Sequence, residues 1–107
     1  MRVDKARLTA FDVCLAVQAQ DTYANLLLPV KLRERGLKGR DAGFATELTY
    51  GALRMRGRYD AIIAKAAKRP AEGLDLEVLV ALRLGVHQAL AMRVPAHAAV
   101  STTVELV

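Results

Sequence analysis

Residues 39–60 read GRDAGFATELTYGALRMRGRYD, and their spacing decides what kind of fold this chain takes. Phe44, Leu48, Ala52 and Met55 recur at steps of four, four and three, the spacing of one helix face. Such a face suits a packed interior. Four arginines, Arg40, Arg54, Arg56 and Arg58, nevertheless crowd the same stretch. An amphipathic helix reconciles the two, with the apolar stripe turned inward and the guanidinium groups outward. Asp41 falls in the first turn, where a carboxylate complements the helix dipole. Gly57 is expected to bend or interrupt the helix. A further helical run then continues through Tyr59, Ile62, Ile63 and Ala66 to about Lys68.

The same period extends outward in both directions. Leu8, Phe11 and Leu15, with Ala10, Val13, Cys14 and Val17, predict a first helix over about 4–19. Gln20-Asp21-Thr22 is a polar break, with Thr22 as N-cap of a second helix over 23–35. Pro29 lies inside that helix, and Gly36 closes it in the left-handed conformation. After the loop at 69–73, Asp75 is the expected N-cap of a fifth helix reaching Arg93. This helix is apolar on nearly all sides and belongs in the middle of the domain. Gly85 inside it costs about 1 kcal/mol against alanine, which the close approach of a neighbouring helix would explain. Pro95 opens a sixth helix carrying Val100, Val104 and Val107. No strand alternation or internal repeat is visible. The expected fold is all-α, a single domain over 1–107 with five or six helices. Glu105-Leu106-Val107 carries no helix stop signal, so the chain reads as a piece of a longer protein.

Composition narrows the function classes. Apolar residues make up 53% of the 107, which argues against disorder. One cysteine permits neither an internal disulfide nor a cysteine metal cluster. The start of the chain has no signal-peptide core. The most apolar stretch, 74–92, contains Asp75, Glu77, Arg83 and His87, so no membrane span is expected and the setting reads as cytoplasmic. The net charge of +5 is unevenly spread. Residues 31–69 hold eleven basic and four acidic side chains, net +7, while the segments on either side are neutral or acidic. The basicity of the middle favours an anionic partner.

No catalytic centre is visible. Cys14 lies on the apolar stripe of the first helix and reads as a small buried hydrophobe. His87, four residues after Arg83, is expected at a polar rim, and His97 in the first turn of the last helix. Asp41, Glu47, Asp75 and Glu77 read as caps and surface groups. There is no phosphate-cradling glycine loop and no dinucleotide fingerprint. The cations remain. If 54–69 stays helical, Arg54, Arg58, Lys65 and Arg69 fall along one side. Arg33, Arg35, Lys38 and Arg40 gather at the preceding junction. Arginine pairs with phosphate through its planar fork. Aromatics for stacking are few, and most are expected in the core, so contact with a nucleic-acid backbone is favoured over base reading.

Four stretches together carry a resemblance. YANLLLP (23–29), RGLKGRDAGFATELTYGALRMRGRYD (35–60), LRLGVHQALAMRVPAHAAV (82–100) and STTVEL (101–106) resemble the NusB-type amino-terminal domain of bacterial ribosomal-RNA cytosine-5 methyltransferases, the RsmB (Fmu/Sun) group. The likeness covers residues 4–107. It implies a NusB-like helical bundle, here truncated before the family's last helix, that helps to dock ribosomal RNA. In the full enzyme a following domain binds S-adenosylmethionine and supplies the catalytic cysteines. None of those motifs occurs here, so no cofactor is expected in this fragment and the parent enzyme is expected to be an S-adenosylmethionine-dependent methyltransferase. On the charge pattern, the residues expected to contact RNA are Arg54, Arg56, Arg58 and Lys65 first, then Lys5, Arg7, Arg33 and Arg40. Other expected partners are the chain's own C-terminal methyltransferase domain and, through uncovered apolar surface, a second copy by dimerisation or domain swapping. Two rival roles are an antitermination module of the NusB kind, acting through a protein partner, and a purely structural domain packing on its catalytic domain. The first helix offers only Arg2, Lys5 and Arg7, sparser than the arginine cluster usual in NusB itself.

Overall fold

A computed structural model describes residues 4–106. Six α-helices follow one another: α1 Lys5–Gln20, α2 Ala24–Glu34, α3 Gly39–Arg54, α4 Arg56–Ala67, α5 Leu76–Ala91 and α6 Ala96–Leu106. A single 3-10 turn, Ala71–Gly73, links α4 to α5. Among the described residues there is no strand. The expected all-α fold is therefore the observed one. Val107, expected on the stripe of the last helix, lies outside the described residues.

Local chemistry sets most of the boundaries. Asp4 caps α1, its carboxylate accepting from the backbone N–H of Ala6 at 2.8 Å and of Arg7 at 3.2 Å. A cap of this kind contributes about 1 kcal/mol. Gly36 takes the left-handed conformation, φ 66°, at the end of α2. Leu37 N–H donates to the Leu32 carbonyl at 2.9 Å and Gly36 N–H to the Arg33 carbonyl at 3.1 Å, which satisfies two orphan carbonyls of α2. One N-cap departs from the sequence expectation and one matches it. Tyr23, not Thr22, stands at the N-cap of α2, with no side-chain cap bond. Asp75 does precede α5, yet its carboxylate makes no cap bond either.

The break between α3 and α4 falls at Met55 rather than at Gly57. Gly57 is exposed and helical. Leu48 and Ala52 on α3 fill a cluster with Phe11 and Cys14 of α1 and Val80 and Leu84 of α5. Ile63 on α4 fills a second cluster with Ala71 and Leu79. The bend at Met55 lets one apolar face serve both.

Helix α5 is the axis of the bundle. It touches α1, α3, α4 and α6. That central position matches its all-round apolar character. Its polar residues are buried with partners. Arg83 is buried. Its guanidinium grips both oxygens of Asp60 at 2.7 and 2.8 Å and donates to Gln18 Oε1 at 2.6 Å, tying α5 to α4 and α1. Buried threonines consume their hydroxyls locally: Thr9, Thr49 and Thr103 each donate to the carbonyl four residues back, at 2.7–2.8 Å.

Gly85 has the explanation its sequence position called for. A Cβ there would lie 2.3 Å from Thr103 Oγ1, so α6 crosses α5 at close range where no methyl fits. Gly85→Ala should therefore destabilise the fold by about 1–3 kcal/mol despite alanine's better helix propensity. Urea unfolding followed by circular dichroism measures the sign. A stabilised variant would mean that α6 does not pack there.

Candidate nucleic-acid interface

The corner between α3 and α4 carries three of the cations predicted from sequence, two of them exposed. Arg54 is the last residue of α3, Arg56 the first of α4 and Arg58 the third. Arg54 and Arg58 are exposed. Among the described residues neither forms an ion pair within 4.0 Å. Both guanidinium charges act on the same buried phenol. Burial pushes the Tyr59 hydroxyl above its ordinary pKa, and the positive charges of Arg58 and Arg54 oppose that shift. Arg56 is oriented differently. It is half-buried and lines a crevice with Cys14, Leu53 and Arg83. Lys65 is exposed in the last turn of α4, where a cation complements the helix dipole. It lies two turns beyond Arg58 and so shares its side of the helix.

The single basic row anticipated over 54–69 is divided. Met55 breaks it, and Lys68 closes α4 in the left-handed conformation, φ 59°. Arg69 lies beyond the helix and donates to the Gly73 carbonyl at 2.5 Å, fastening the loop. On α2 and α3, Arg33 and Arg40 are exposed, as is Lys38 between them. Arg35, grouped with them in sequence, is bound to the Asp12 carboxylate and donates to Thr9 Oγ1 at 3.0 Å. It serves to hold α2 on α1.

At the start of α1, Lys5 is exposed. Arg7 is heavily engaged with protein. It donates to Asp4 Oδ2 at 2.6 Å and to Gln88 Oε1 at 2.7 Å, and its guanidinium carbon sits 4.8 Å from the Phe44 ring centroid. The partner Gln88 is 81 residues away along the chain, which sequence spacing does not reveal. Of the aromatics, Phe11 and Tyr59 are buried, whereas Tyr23 is 71% exposed. Tyr50 is exposed one turn before Arg54.

His87 corrects the rim expectation most sharply. It is 1% exposed. Its Nδ1 lies 2.7 Å from the Tyr59 hydroxyl and its Nε2 2.9 Å from Glu47 Oε2. Glu47, read from sequence as a surface group, keeps its carboxylate half-exposed while reaching the ring. A glycine on α3 four residues after a glutamate was the available signal. A Cβ at Gly51 would lie 2.0 Å from His87 Nε2.

Cys14 is the small buried hydrophobe that its place on the stripe predicts. Desolvation is the main cause that raises its thiol from the ordinary 9.0 to about 12, against the lowering charges of Arg83 and then Arg56. Elsewhere a groove of about 290 Å³ runs between α5 and α6. Its walls include Leu82, Val86, Ala89, Val100 and Val104. Val100 and Val104 are 64% and 69% exposed, so this apolar face is open.

The chain matches the NusB family over residues 4–107 and belongs to that family. It is similar to a protein of Mycobacterium tuberculosis strain H37Rv named as a putative methyltransferase, 57% identical over 103 residues, covering 96% of this chain and 22% of that protein. It also resembles ribosomal RNA small subunit methyltransferase B of Thermus thermophilus, 42% identical, covering 98% of this chain and 26% of the relative. The namesake from Pseudomonas syringae pv. tomato is 35% identical, covering 92% of this chain and 21% of the relative. The chain thus spans about a quarter or less of these curated relatives. A chain in the solved structure "Crystal Structure of a Plectonemic RNA Supercoil" superposes with a TM-score of 0.86 and 28% identity, covering 96% of this chain and 77% of that one.

The Cys14 thiol makes stability fall with alkaline pH. Its folded pKa stands above the ordinary value, so its contribution is complete below pH 9.0 and is lost as pH rises toward about 12. The Tyr59 phenol, also raised, acts in the same direction. Denaturant midpoints measured from pH 8 to 11 should decline less steeply in Cys14→Ala than in the parent. Parallel declines would show that the thiol is not desolvated.

Proposed function

We propose that this chain is an RNA-docking accessory domain of a bacterial ribosomal-RNA cytosine-5 methyltransferase. The observation that carries the proposal is the α3–α4 corner, where Arg54 and Arg58 stand exposed without a carboxylate partner among the described residues. Arg7, Arg35, Arg69 and Arg83 are engaged with protein groups, whereas these two, like the exposed Arg33, Lys38 and Arg40, are left for an outside anion. Relatives named ribosomal RNA small subunit methyltransferase B, and a structural neighbour solved with an RNA supercoil, support ribosomal RNA as that anion. Arg40, Arg33, Lys65 and Lys5 would widen the contact, and Arg56 and Arg7 would contribute from its inner edge. Binding would be chiefly to the sugar–phosphate backbone. Such a partner implies a cytoplasmic setting.

The methylation itself would belong to the rest of the parent protein. The methyl donor expected there is S-adenosylmethionine, and the residues of this chain do not fit it. The α5–α6 groove is walled by apolar side chains apart from Thr103, with nothing to hold a charged amino-acid head or an adenine edge. That groove favours a second role for the domain. Its exposed valines form a face suited to packing against the methyltransferase portion that the longer relatives possess. In the isolated chain the same face would promote self-association.

Charge reversal tests the first role. Arg54→Glu with Arg58→Glu should weaken binding to small-subunit ribosomal RNA at low salt. The salt slope should fall by about 0.9 for each duplex phosphate no longer neutralised. Unchanged affinity would remove the corner from the footprint. For the second role, Val100→Asp with Val104→Asp should abolish recapture of a separately expressed methyltransferase portion and leave RNA affinity intact. Undiminished recapture would place that contact elsewhere.

A further inference from the structure

RNA docking as described leaves one largely buried polar chain without a role, and its Tyr59 end adjoins the arginine corner. Glu47 on α3, His87 on α5 and Tyr59 on α4 are joined end to end, at 2.9 and 2.7 Å. A carboxylate only accepts, so His87 Nε2 carries the hydrogen. In the neutral ring Nδ1 then accepts, and the Tyr59 hydroxyl donates. Both ring nitrogens are matched. Room for the ring comes from Gly51, where a Cβ would lie 2.0 Å from Nε2 and 2.8 Å from Glu47 Oε2.

Stability alone is a weak reason for such a chain. An apolar side chain of similar shape would fill the site without needing every hydrogen bond satisfied. What hydrogen bonds add is direction, since they hold three helices at set distances where apolar surfaces would slide. The location matters too. Arg54 follows Gly51 by three residues and ends α3, and Arg58 immediately precedes Tyr59 on α4. Only Met55, Arg56 and Gly57 separate the two cations. Glu47 adds a second indication. A half-exposed carboxylate beside a phosphate-binding surface is unfavourable for binding, so its presence calls for another task.

We propose that Glu47, His87 and Tyr59 are positioning residues that fasten the α3–α4 corner, so that Arg54 and Arg58 present their guanidinium groups together to neighbouring phosphates of one RNA backbone. The inference rests on the RNA-docking reading. The network orders the corner before RNA arrives.

Three variants of the full chain test it: Tyr59→Phe, Glu47→Ala and Glu47→Gln, the last keeping an acceptor for Nε2–H. Affinity for a small-subunit ribosomal RNA fragment is measured at low salt, with backbone amide exchange followed in parallel. Tyr59→Phe and Glu47→Ala should each weaken binding about five-fold, the scale of one lost hydrogen bond. Exchange should rise at residues 54–58 in both, and not across α1 or α6. Glu47→Gln should bind at least as tightly as the parent. If Glu47 acted only through its charge, Ala and Gln would both tighten binding, and the proposal would fall. Unaltered affinity and unaltered exchange in Tyr59→Phe would overturn it equally. A parent chain without RNA affinity would sink the docking reading instead. The exchange data would then judge the corner alone: a rise confined to 54–58 upholds its fastening, and a uniform or absent rise refutes it.

Discussion

A sixteen-residue helix with apolar side chains on nearly every side cannot remain in water, and in this chain that helix is α5. Covering it places every neighbour. Helices α1 and α3 bury its Val80 and Leu84, while α4 and the 3-10 turn bury Leu79. Helix α6 crosses it at Gly85, close enough that the missing methyl is a requirement of the packing. The hydrophobic term is not directional, so it explains why the helices gather and not how they are oriented. Orientation comes from polar groups that had to be buried with them. Arg83 ties α5 to α4 and α1, and His87 ties it to α3 and α4.

The same burial sorts the positive charges. Arg83, Arg35, Arg7 and Arg69 are spent on carboxylates, amides and carbonyls of the protein itself. Two of these, Arg35 and Arg69, belong to the basic middle segment, so its net charge overstates what is offered to solvent. Part of what is offered lies where α3 ends and α4 begins, and there the helix break works in favour of display. Two helix ends meet at Met55, and each carries an arginine outward. The proposed docking surface is thus a product of packing as much as of composition.

Two faces of the bundle differ in chemistry. One is the cationic corner over the Tyr59–His87–Glu47 chain. The other is the apolar α5–α6 groove, whose valines remain in water. A domain that stands between a nucleic acid and a larger enzyme needs both characters, a charged surface for the first and an oily one for the second. Keeping them on separate faces avoids placing unpaired charge against apolar surface, which is costly.

Helical periodicity was legible in the sequence because a helix repeats its own geometry, whatever surrounds it. The stripes of α1 and α3, the central character of α5, the left-handed Gly36 and the close approach at Gly85 all follow from spacing and residue type. So did the family likeness, carried by stretches such as ATELTYGALR. Which face meets which is not a local property, and only the tertiary structure decided it. The bend fell at Met55, and the helices on its two sides fill different clusters. His87 sank to the interior because Glu47 and Tyr59 arrived from other helices with the matching atoms. Arg7 and Arg35 left the pool of exposed cations because their partners, Gln88 and Asp12, lie 81 and 23 residues away. Hydrogen bonds are short, and a chain folded in three dimensions brings together groups that its linear order keeps apart.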